Sequence, residues 1–114
     1  MKPFEMLVMI KAAIGDEDLT ACRGRLEGWL GENGANVEEV FDLGELPLAY
    51  PVNKNRRGHF LLFWFNGPGE LPQAMAQRIR VDEEILRHLL VQRHPAAIKT
   101  IRRSSEERED GKRG

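Results

Sequence analysis

Cysteine is nearly absent. The 114 residues hold only Cys22, so no disulfide can close within the chain and a framework of bridges is excluded as the source of stability. Aromatic residues are few, at 7%, and no apolar run approaches the roughly 20 residues that a membrane-spanning helix needs. A secretory pattern, with a basic start, a long apolar stretch and a small-residue cleavage site, is also missing. Together with the lone thiol this points to a reducing cytosol. An excess of one charge is missing too, since 17 Lys and Arg stand against 18 Asp and Glu for a formal net charge of −1. No overall field draws such a chain onto a polyanion, and any nucleic-acid contact must come from local basic patches. There is no phosphate-cradling glycine loop and no serine-centred nucleophile elbow. His59, His88 and His94 lack ligand spacing, so no catalysis, cofactor or metal is expected.

What remains is a composition of 41% hydrophobic and 31% charged residues, enough for one core in one domain. Phe4, Met6, Val8 and Ile10 alternate with Glu5, Leu7 and Met9, which predicts a central strand over Phe4 to Lys11, apolar on both sides of its pleat. Asp16, Glu17 and Asp18 suit the positive end of a helix dipole. Leu19, Cys22, Leu26, Trp29 and Leu30 then form one helical stripe that ends at Asn33-Gly34. Val37 to Leu43 alternates irregularly, as a strand with a bulge does. Leu48 to Val52 continues it along an edge, because Pro47 and Pro51 cannot donate to a central ladder. Asn53 to Gly58 reads as a polar, basic loop, and His59 to Phe65 as a second central strand. A second helix runs from Leu71 through Met75 and Ile79 to about Arg80, and a last strand spans Ile85 to Val91. The order strand, helix, strand, strand, helix, strand predicts an α+β fold of ferredoxin-like βαββαβ type, with a four-stranded antiparallel sheet and both helices on one face. That domain is expected over residues 1–98. Residues 99–114 form a charged tail, without an apolar residue from Arg102 onward, and are expected to be disordered.

The face away from the helices carries the functional information. If Leu61, Phe63 and Phe65 face the helices, then Leu7, Met9, Phe60, Leu62 and Trp64 look outward together, and a contiguous apolar patch marks an interaction surface. One reading is a free-standing module like the RNA-recognition motifs, which share the topology and stack bases on aromatic residues of the first and third strands. Arg57-Gly58-His59-Phe60 is only faintly similar to the required Arg-Gly-aromatic opening. An aliphatic-rich face suits a protein partner better. A small ferredoxin-like enzyme such as an acylphosphatase would need an anion-cradling loop with an arginine, and Ile10-Lys11-Ala12-Ala13 supplies none.

Leu48-Ala49-Tyr50-Pro51-Val52 resembles the Leu-Ala-Tyr-Pro-Ile signature of the bacterial small-subunit ribosomal protein six family. Phe4-Glu5, Asn33-Gly34-Ala35 and Gly58-His59-Phe60 resemble that family's first strand, first-helix exit and third-strand opening, in the right order. Arg80 and Arg87 fall where its arginines flank the fourth strand. The resemblance implies a non-enzymatic constituent of the ribosome in the cytoplasm. It also implies pairing with ribosomal protein eighteen, joint binding of small-subunit ribosomal RNA, and no membrane or DNA partner. Lys2, Lys54, Arg56, Arg57, Arg80 and Arg87 become the candidate RNA contacts, and Leu7, Met9, Phe60, Leu62 and Trp64 the candidate protein-partner face. The chain departs from the family where basic residues usually precede Leu-Ala-Tyr-Pro. Here Glu45-Leu46-Pro47 stands instead.

Overall fold

In a computed structural model, which describes residues 1–93, the elements follow the order β1 (Lys2–Lys11), α1 (Asp16–Glu32), β2 (Asn36–Val52), β3 (Asn55–Gly67), α2 (Leu71–Arg80) and β4 (Ile85–Gln92). The expected tail, the domain end at residue 98 and His94 lie outside the described residues. The strands form one antiparallel sheet in the order β2-β3-β1-β4, the ferredoxin-like arrangement.

Strand alternation builds the core. Phe4, Met6, Val8 and Ile10 of β1, with Leu61, Phe63 and Phe65 of β3, are buried against Cys22, Leu26 and Leu30 of α1 and Leu71, Met75 and Ile79 of α2. The four-residue spacing of each helical set lays one stripe on the sheet. Burial pushes the Cys22 thiol up to about 11, so it stays protonated and serves as a small apolar filler. Helix α1 closes with two turn-reversing bonds, Ala35 N–H to Leu30 O at 2.9 Å and Gly34 N–H to Gly31 O at 3.1 Å. Gly34 sits there at φ +84°, the left-handed position that a glycine occupies without strain. Arg25 ties the exposed side of α1 to the connection before β4, reaching Asp82 at 3.0 Å and Glu84 at 2.7 Å.

The segment expected as a loop is the main correction. Only Asn53 and Lys54 turn the chain, at φ 47° and 67°, between the paired residues Val52 and Asn55. A two-residue hairpin turn requires positive φ at both central positions. The Asn55 amide clamps it by donating to Val52 O at 3.2 Å and Asn53 O at 2.9 Å. Asn55 to Gly58 therefore belongs to β3, and β2 and β3 form a long arm. The bulge expected within Val37 to Leu43 is present, as register shifts between Val37 and Glu39 and between Asp42 and Gly44, and a further shift lies between Pro47 and Val52. In the last shift the residues Leu48 to Pro51 stand opposite Arg56 alone.

Candidate nucleic-acid and partner interface

The open face of the sheet is arranged in rows. Phe41, Leu62, Leu7 and Leu89 lie side by side across β2, β3, β1 and β4, and Phe60, Met9 and Arg87 form the row nearer the arm. Phe60, Leu62 and Trp64 share this face with Leu7 and Met9, as alternation requires. Their exposure differs from the expectation that all five look outward. Trp64 and Leu62 are buried, and Leu7, Met9 and Phe60 are half-buried. Phe41 meets Trp64 edge-on at 4.7 Å, the Arg93 guanidinium covers its ring at 4.9 Å, and the indole N–H donates to Glu5 at 3.3 Å. Among the exposed apolar groups, Leu43, Leu89 and Val91 cluster on this face, with Leu89 the most accessible of the three at 61%. Together with Glu5, Leu7 and Leu62 they line a depression of about 250 Å³. Burial of Trp64 was not legible beforehand because its covers come from distant chain positions. Arg93 has no local signal at all.

At the arm end of the same face the Leu48 to Pro51 bulge folds toward β1. Met9, Phe60 and Arg87 line one hollow of about 240 Å³ with Pro47 to Tyr50 and Val52. Gly58 allows the approach, since a Cβ there would lie 2.8 Å from Met9 Cγ and 3.6 Å from Leu48 Cδ2. Beside it, Arg80 and Arg87 line a cleft of about 520 Å³ together with Asn53, His88, Asp82 and Glu83. Burial lowers the His88 pKa, so at neutral pH this imidazole adds no charge to the cleft.

The candidate cations thus divide. Arg80 and Arg87 share the cleft, and Asn53 brings the hairpin turn, with Lys54 next in the chain, to its rim. Lys2 is opposite Gly67 at the far end of β3, which at ~3.3 Å per residue puts it on the order of 40 Å from the turn. Arg57 is held by Glu45 at 2.6 Å, a partner supplied by the residues where this chain departs from the resembling family. His59 is held by Asp42 at 2.6 Å. Among the described residues no group of His, Cys, Asp and Glu can hold a metal ion, and no helix is long and apolar enough to cross a membrane. The arrangement offers cations and an apolar surface side by side, suited to a polyanion and a protein partner at once.

Comparison with known proteins gives a consistent result. A sequence model described as Ribosomal protein S6 matches residues 3–92. The small ribosomal subunit protein bS6 of Campylobacter jejuni is 32% identical over 91 residues, which is 80% of this chain and 73% of that protein. The protein of the same description from Koribacter versatilis is 29% identical over 106 residues, covering 89% of this chain and 72% of its own. The crystal structure of 30S ribosomal protein S6 from Thermotoga maritima is similar in fold, with a TM-score of 0.78 at 20% identity over 92% of this chain and 97% of that one.

Proposed function

The chain belongs to the ribosomal protein S6 family, and from that premise we propose that this small-subunit protein binds ribosomal RNA jointly with ribosomal protein eighteen and catalyses nothing. The cleft shared by Arg80 and Arg87 is the observation that carries the reading. Two arginines without a carboxylate partner among the described salt bridges border the apolar open face, so one end of the sheet serves RNA phosphate while the adjoining surface serves the protein partner. With a formal charge of −1 the chain has little affinity for RNA by field alone. A basic partner docked on the apolar face supplies the rest of the electrostatics.

Phosphate contacts release counterions, so their number appears as the slope of log affinity against log salt. Replacing both Arg80 and Arg87 by alanine is expected to flatten that slope by roughly 1.4–1.8 units for the reconstituted protein pair on a small-subunit RNA fragment. An unchanged slope and affinity would remove the cleft from the interface. The alternative reading, a free-standing module that stacks bases on Phe60 and Trp64, is disfavoured by the cover over Trp64: Phe41 on its edge and Arg93 on its ring.

A further inference from the structure

The arm has two sides, and the structure treats their cations differently. Residues directly opposite in an antiparallel pair point to the same side, and neighbours along a strand point to opposite sides. His59 pairs with Ile10, a core residue, so His59 and, two positions earlier, Arg57 lie on the helix side. Both are answered by carboxylates of β2 on that same side. Asp42, opposite Leu61, reaches diagonally to His59, and Glu45, opposite His59, reaches diagonally to Arg57, each at 2.6 Å.

The other side reads differently. Gly58 pairs with Lys11 and Phe60 with Met9, which itself pairs with Arg87 on β4. Arg56, two positions before Gly58, shares their side. Lys11, Arg56 and Arg87 have no carboxylate partner among the described salt bridges. The irregular pairing of β2 contributes to this, because opposite Arg56 it offers Leu48, Ala49, Tyr50 and Pro51, none of them acidic. As neighbours in the chain Arg56 and Arg57 form one basic pair, and Lys11 stands apart from it. The pleat separates the first two and brings the third in.

We propose that RNA phosphate is taken on the open-face side of the arm by Lys11, Arg56 and Arg87, and that Glu45, paired with Arg57, acts as a built-in counter-ion that, with the Asp42 carboxylate on the same side, keeps the helix side from competing for it. This rests on the reading that the chain binds RNA. The counter-ions serve specificity. A two-sided basic arm would hold any RNA strand in several orientations, whereas an exposed ion pair such as Arg57–Glu45, though weak in itself, leaves a single side of the arm with unanswered charge. Glu45 also repels a phosphate approaching Arg57, and like charges brought together oppose wrong dockings.

The test uses the full chain reconstituted with its protein partner, comparing Lys11→Gln, Arg56→Gln, Arg57→Gln and Glu45→Gln by the salt slope of binding to a small-subunit RNA fragment and to an unrelated RNA of equal length. Circular dichroism confirms that each variant is folded. Lys11 is half-buried, so Arg56→Gln, at an exposed position, carries the test should Lys11→Gln fail to fold. The expected result is that Lys11→Gln and Arg56→Gln each flatten the slope by about 0.7–0.9 of a unit while Arg57→Gln leaves it unchanged. Glu45→Gln should raise affinity for the unrelated RNA more than for the cognate fragment. A loss of slope in Arg57→Gln equal to that in Arg56→Gln would overturn the one-sided arm while leaving RNA binding in place. Absence of any RNA binding by the wild-type pair would overturn the proposal and the reading beneath it together.

Discussion

Lys54 carries two demands that pull against each other. Its backbone sits at φ 67°, in the left-handed region where a Cβ crowds the following carbonyl at a cost on the order of 1 kcal/mol, and glycine is the residue that fits such a turn best. Yet Lys54 stands in the turn at the tip of the arm, where the proposed function gives a long cationic side chain the task of meeting RNA phosphate. Lys54→Gly is therefore expected to raise stability by about 0.5–1 kcal/mol, read as a higher midpoint in urea, and at the same time to weaken RNA binding and flatten its salt dependence. A variant that gains stability without losing affinity would show that this lysine is held for some reason other than RNA. Cys22 illustrates the opposite case of a residue without conflict. Its pKa is raised from 9.0 to about 11 by burial, so the stability it lends is fully present below pH 9 and fades as the pH rises toward 11.

Among the elements, the arm is where sequence and structure part. The two helices, β1 and the middle of β3 were legible, because a single stripe or an alternating pleat against one core leaves a clear period. Asn53 to Gly58 gave no such sign. That part of β3 contributes no residue to the main core cluster, and its polar composition is what a loop would also have. The strand there is held by backbone pairing and by the Asn55 clamp, neither of which leaves a hydrophobic pattern. The candidate site suffered likewise: Arg56 and Arg57 look equivalent as letters, and only the register shows that Glu45 holds one of them. Gly58 is the residue on which the arm's attachment depends. A methyl group there would meet Met9 Cγ at 2.8 Å, closer than carbon atoms approach, so Met9 must shift, and Met9 lines one hollow with Leu48 to Tyr50 of the bulge. Gly58→Ala should cost about 1–3 kcal/mol as overpacking does, with the largest amide chemical-shift changes at Met9, Leu48 and Tyr50. Changes confined to residues 56–60 would show that the bulge does not rest on this contact.

For the molecule as a whole, the question is how a nearly neutral chain presents two surfaces without mixing them. The acidic residues of β2 lie along one edge of the sheet, while the exposed apolar groups Leu89 and Val91 lie toward the other on β4. Leu62, the obvious target from the sequence alone, is a poor probe because it is buried and a charge there would unfold the sheet. Leu89 is 61% exposed. Leu89→Glu is expected to change stability by no more than about 0.5 kcal/mol, as surface substitutions usually do, while weakening the protein-partner complex at least tenfold. Calorimetric titration with the partner would measure it, and an unaltered affinity in a folded variant would move the partner off this face.

The strand order has a consequence for the chain as it is being made. The first strand synthesised, β1, becomes an interior strand flanked by β3 and β4, and its last neighbour ends at Gln92. At the usual 5–20 residues per second the ribosome needs roughly 4–16 s to deliver those intervening residues. Until β3 is delivered Phe4 to Ile10, apolar on both sides, has nothing to pair with, and until β4 follows one edge of β1 stays open and the four-stranded sheet is incomplete. A nascent chain stopped at Arg80 should therefore remain open to protease and to chaperone, and protection should arrive in a single step once β4 has cleared the exit tunnel. The domain is built so that its folding is a late, all-at-once event of translation.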